Sequence, residues 1–169
     1  MSPDAVPDRE PGQDRERDAA GRPHNARPRD ALGRPLPRGT PGVVGVPEDL
    51  VLSPQEALVE AQRLLDQGRP FHAHEVLEAT WKAAPEAERD LWQGLAQLAV
   101  GLTHALRGNN SGAVSVLRRA CDHISGYANQ PPYNIDVTGL LEWAGPVVDR
   151  LDDPSKNSET PSTPRLCST

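Results

Sequence analysis

An all-α fold follows from three features of the 169-residue sequence. Apolar residues recur at helical spacing, glycine and proline punctuate those runs, and no alternating strand pattern interrupts them. The expected architecture is a compact bundle of about five helices, built from two tetratricopeptide-like helical hairpins plus a C-terminal helix. Disordered N- and C-terminal tails flank it.

Composition separates tail from domain. Residues 1–50 hold nine of the 18 prolines, eight arginines and nine acids, and no aromatic residue. All six aromatics (Phe71, Trp81, Trp92, Tyr127, Tyr133 and Trp143) fall later. The expected division is a disordered tail over 1–49, a helical domain over 50–151 and a second disordered tail over 152–169.

The first helix begins at Ser53-Pro54-Gln55-Glu56, where Ser53 caps, Pro54 suits the first turn and Glu56 completes a capping box. It runs through Leu58, Ala61, Leu64 and Leu65 to a stop at Gly68. The second spans Pro70 to about Ala84. The third runs from about Pro85 to Arg107 and closes at Gly108-Asn109, and the fourth spans about Ser111 to Tyr127. After the break at Pro131-Pro132, Asp136 caps a fifth helix reaching about Arg150, with Pro146 expected to kink or end it. Its apolar residues Leu140, Leu141, Trp143 and Val147 suit packing on the bundle or a homo-oligomer contact.

A shift of 40 residues aligns Leu58 with Leu98, Ala61 with Gly101, Gly68 with Gly108, Ala73 with Ala113 and Leu77 with Leu117. Each copy reads as helix, glycine stop and helix, with a small residue early on the inner face of the second helix. This is the logic of a tetratricopeptide-like hairpin.

The bulk numbers exclude several roles. No run approaches the roughly 20 apolar residues that span a bilayer, and the charged N-terminus has no apolar signal core. Cys121 and Cys167 make neither a disulfide framework nor a zinc spacing. The expected location is the cytoplasm. Residues 51–150 carry eight basic against twelve acidic side chains, so nucleic acid binding is not expected.

The polar residues on inner faces carry the functional reading. At ~100° per residue, His74 and Glu78 on the second helix fall between Leu77, Trp81 and Phe71. His72 falls on the polar side and Glu75 on the boundary. On the third helix Gln93, Gln97 and His104 form a row beside Gly94 and Gly101, where another helix or a ligand can approach the backbone. Packing that row against His74 and Glu78 gives a semi-buried pocket.

Three readings of it stand open. One is a register-fixing network with Glu78 accepting hydrogen bonds from His74, the glutamines or an indole. Another is a divalent metal site (Zn, Mn or Fe) with His74, Glu78 and His104 as ligands and Glu75 as base or fourth ligand. The last is a cleft for a small molecule or a protein partner. Trp81 and Trp92 read as core anchors.

The run Gly68-Arg-Pro-Phe-His-Ala-His74-Glu75-Val-Leu-Glu78-Ala-Thr-Trp81 resembles the signature of the domain of unknown function 309 family. So do Arg89-Asp-Leu-Trp-Gln93-Gly94-Leu-Ala-Gln97, Leu102-Thr-His104 and Gly108-Asn-Asn-Ser-Gly112-Ala113, over about residues 54–126. The resemblance implies a compact all-helical domain whose relatives are loosely labelled predicted metal-dependent hydrolases, with no substrate attached. His72 stands where that family often has an acidic residue.

Overall fold

Capping and punctuation set the helix boundaries in the computed structural model, which describes residues 27–156 and 159–169. The helices are α1 (Pro54–Asp66), α2 (Pro70–Ala83), α3 (Glu86–Leu106), α4 (Asn110–Ser125) and α5 (Val137–Asp152), with single 3-10 turns at Pro132–Asn134 and Pro154–Lys156. The Ser53 box forms as expected. Glu56 accepts from the Ser53 N–H at 2.8 Å and returns its own N–H to the Ser53 hydroxyl at 3.3 Å.

The 40-residue echo holds bond for bond at the turns. Gly68 and Gly108 both adopt positive φ, 69° and 78°. Gly68 N–H donates to the Leu65 carbonyl as Gly108 N–H does to Ala105, both at 3.0 Å. Arg69 N–H reaches Leu64 as Asn109 N–H reaches His104, both at 2.9 Å. This pair of Schellman stops produces two like hairpins, α1–α2 and α3–α4. Each helix packs on the one before it, and α5 closes against α4.

The core runs through all five helices, with Leu64, Leu77, Leu91, Trp92, Leu95, Leu98, Leu117, Ile124 and Leu140 almost fully buried. Ala73 and Ala113 occupy equivalent inner positions and are both inaccessible. The fifth helix continues through Pro146 to Asp152. Pro146, Gly145 and Glu142 are all exposed, so the carbonyl that loses its donor at the proline faces water. Of the expected apolar face of α5, Leu140 and Val147 are buried, and Leu141 and Trp143 pack partly buried against the core.

Two stretches left in the tails by the sequence reading lie on the bundle. Residues 162–168 cross back from α5 towards α1. Trp143 donates its indole N–H to the Ser162 carbonyl at 2.9 Å, and Leu166 is 1% exposed. The Gln62 amide holds both sides of that strand, donating to the Pro164 carbonyl at 3.1 Å and accepting from Leu166 N–H at 2.9 Å. Residues 28–52 form a loop and an extended arm beside α2. The apolar residues Leu36, Val43, Val46, Leu50 and Leu52 are partly covered there, which a proline-rich linker reading does not anticipate. The rest of the expected N-terminal tail, residues 1–26, lies outside the described residues.

Candidate functional site

Helix α2 presents three faces. Ala73, Val76 and Leu77 are buried in the core. Phe71 and His72 face the loop at 28–36, and Glu75 and Glu78 face the arm at 46–52. The sequence placed His72 on the polar side of this helix. Instead it is 2% exposed, because the 28–36 loop covers a face that helical periodicity alone leaves to solvent.

The arm and α2 enclose a groove of about 740 Å³. Val46–Leu52 form its outer wall, Val76 and Ala79 its floor, and Pro85, Glu88 and Trp92 its far end. Among the described residues its charged lining is Glu48, Glu75, Glu78, Glu88 and Lys82. Glu78 is already committed, with Lys82 Nζ at 3.1 Å and His74 Nε2 at 3.7 Å. Glu88 is fixed in place. It accepts from the Trp92 indole at 3.1 Å and from the Tyr133 hydroxyl at 3.0 and 3.1 Å.

Glu75 differs from both. The Val46 N–H lies against its carboxylate, yet Oε2 is buried with no hydrogen-bond partner. Burial pushes its pKa above the ordinary glutamate value. The Val46 N–H, Arg29 and Arg69 act against that rise, and Glu78 adds to it. A buried carboxylate oxygen without a donor is costly. A donor brought by a ligand removes that cost.

The other expected site residues lie elsewhere. Gly94 and Gly101 do form a seam, and α4 fills it: a Cβ at Gly94 would collide with Ile124, and one at Gly101 would come within 2.6 Å of Leu117. His104 sits at the end of α3, where its Nδ1 lies 3.1 Å from the Asn109 side-chain amide. Gln93 is partly exposed, and Gln97 keeps Oε1 buried without a partner. Trp81 packs at the margin of the core.

The structure brings two of the three expected metal ligands together. His74 and Glu78 meet one another, but His104 is held separately by Asn109. Among the described residues no group of three or more His, Cys, Asp or Glu side chains is placed to hold a metal ion. Burial lowers the His74 pKa, Glu78 opposes this, and Lys82 reinforces it.

Sequence reasoning missed Glu88, Tyr133 and the arm. The i, i+4 spacing of Glu88 and Trp92 on one helix was the available signal for the first. Nothing local marks Tyr133, whose φ of 56° follows two prolines and whose partner is 45 residues away.

Two like helical hairpins, a closing helix and a polar-edged groove define a small all-helical domain protein. Residues 58–116, from α1 into α4, match the family model described as Domain of unknown function (DUF309). No curated protein and no solved structure matches the chain. Among the described residues no helix is long and apolar enough to cross a membrane. The family description assigns no reaction.

Proposed function

We propose that the protein is a binding module whose groove takes a small organic amine, an ammonium group carried on an apolar stem. The observation that carries this reading is the buried, unpartnered Oε2 of Glu75 in the groove. The volume of about 740 Å³ is within the range of small-molecule sites. Val46, Leu50, Leu52, Val76 and Trp92 suit the stem. Among the carboxylates of the lining, Glu75 suits the cation, because its buried Oε2 has no hydrogen-bond partner.

Titration with hexylamine, and with hexanol as its neutral counterpart, followed by NMR shifts of the groove amides, tests this. The amine is expected to bind about tenfold more tightly or better, since one charge-assisted hydrogen bond is worth about 1.5–3 kcal/mol. Glu75→Gln should erase that preference. Silence of Val46–Leu52 and α2 towards both probes would end the reading.

Two alternatives make different predictions. Metal-dependent hydrolysis rests on the family resemblance and requires stoichiometric metal in chelator-free protein, lost in Glu78→Ala. The donor arrangement around His74 does not support it. A protein-interaction role rests on the duplicated hairpin and requires a co-purifying partner that hexylamine does not displace.

A further inference from the structure

Residues 162–168 are held by the bundle in the manner of a bound peptide. Burial alternates along them, with Pro164 and Leu166 buried and Thr163 and Arg165 exposed, the period of a strand lying on a surface. Among the described residues, five hydrogen bonds grip the main chain of this segment. Trp143 of α5 donates to the Ser162 carbonyl, and Gln62 of α1 clamps Pro164 and Leu166. On the opposite edge Asp136 N–H donates to the Leu166 carbonyl at 2.9 Å, and Ser168 N–H to the Asn134 carbonyl at 3.0 Å. The antiparallel bridge of Ile135 with Cys167 lies between those two bonds.

The cleft is preset for this task. Gln62 Nε2 donates to the Asp66 carboxylate at 2.9 Å as well as to Pro164, so turning the amide over would set its oxygen against two acceptors. Asp66 also pairs with Arg165 at 3.2 Å. Ile135 N–H and Val137 N–H are used within their own turn, which leaves Asn134 C=O and Asp136 N–H for a neighbouring strand. The chain that ties the segment to α5 adds little. Residues 154–156, 159 and 160 are exposed, and Asp153 bonds to Ser155 and Lys156 beside it. A recognised segment on an exposed tether opens locally while the helices stay folded.

We propose that the cleft between α1 and residues 134–136 is a peptide-binding site, which the chain fills with its own residues 162–168 until a partner protein presents an extended Pro-basic-Leu segment. It uses none of the residues that line the amine groove, so it stands or falls apart from that reading.

The chemistry of the partner follows from the occupant. Main-chain bonds on both edges accept any extended strand, and the side chains that point inward choose among them. Those are Pro164 and Leu166, the latter 1% exposed. The outward residue between them faces Asp66, which favours a cation there. A short tether supplies its own segment at an effective concentration of about 1 mM. A second copy of the same segment therefore loses to the tethered one at ordinary protein concentrations. Only a sequence that fits the cleft better displaces it.

The test cuts the tether of the whole folded chain at a protease site inserted after Lys156, an exposed position. The probe is a fluorescent peptide of residues 160–169, Thr-Pro-Ser-Thr-Pro-Arg-Leu-Cys-Ser-Thr. A segment docked about a hundred to one by a tether worth about 1 mM corresponds to a Kd of about 10 µM for the cut protein. The uncut chain should bind the probe about a hundredfold more weakly. A probe carrying Leu166→Asp should not bind, and Gln62→Ala in the cut protein should weaken binding about tenfold. In the uncut wild type the Leu166 and Ser168 amides should exchange with about hundredfold protection, while α1 and α3 remain protected far longer. Helices that unfold once the cut segment leaves, a cut segment that never exchanges with the probe, or equal binding of the Leu166→Asp probe would overturn the proposal. So would a dimer of the uncut chain that Gln62→Ala dissociates, because the cleft would then belong to a second copy.

Discussion

Gly33 rests face-on against the Phe71 ring, so closely that a Cβ at position 33 would overlap the aromatic carbons. Its φ of 73° is also one that L side chains rarely adopt. Gly33→Ala should therefore detach the loop through two independent causes. We expect faster exchange over residues 28–43 and a melting temperature close to wild type, because the loop adds little to the core. A large fall in melting temperature would show instead that the loop is part of the cooperative unit.

The glycine seam of α3 makes the opposite prediction. Gly94 and Gly101 face Ile124 and Leu117 of α4, both almost fully buried. An alanine at either position forces α4 outward, a type of overpacking that costs about 1–3 kcal/mol. Urea unfolding of Gly94→Ala and Gly101→Ala should show that loss without any change in amine binding.

At the groove's far end, Glu88 gathers the Trp92 indole and the Tyr133 hydroxyl. Tyr133→Phe removes one donor to a carboxylate and should cost about 1–2 kcal/mol. In a double-mutant cycle with Glu88→Gln the two losses should be less than additive. Strict additivity would mean that the contact contributes nothing.

Glu75 should trade stability for binding. Its pKa is raised in the folded state, so its favourable contribution is present below the ordinary value of 4.5 and is lost as pH rises through the raised value. At neutral pH, Glu75→Gln should unfold at higher urea than the wild type, and the gap should close as pH falls to about 4.5. Weaker binding of hexylamine by that same variant would mark the carboxylate as kept for function.

The C-terminal strand gives a simpler test. Leu166 is 1% exposed, and its replacement by alanine should cost about 2–3 kcal/mol. Gln62→Ala removes both hydrogen bonds to the strand and should cost about 1–2 kcal/mol. A thermal melt of each variant decides.

The sequence made the helices legible because their signals are local. Ser53 with Glu56, the glycines at 68 and 108, and the spacing of Leu58, Ala61 and Leu65 all act within a few residues. The two like hairpins were legible too, since the repeat preserves the turn chemistry. Relations between distant segments were not. Periodicity on α2 separates an apolar face from a polar one, but it cannot say that a proline-rich loop returns to bury His72. The same gap left open whether the glycine seam takes a helix or a ligand, and α4 fills it. Glu75 and Glu78 were found from their angular positions on the second helix. Glu88 gains its role from Tyr133, 45 residues away.

The strand that crosses from α5 to α1 bears on how the chain assembles. Each helix packs on its immediate predecessor, so the bundle grows by short loop closures of low entropic cost, and such topologies form quickly. The Gln62–Leu166 clasp joins residues 104 apart. It is the kind of contact that waits for the helices to be in place. Mutations in the clasp should then speed unfolding while leaving the refolding rate nearly unchanged. The molecule would be quick to form and late to lock.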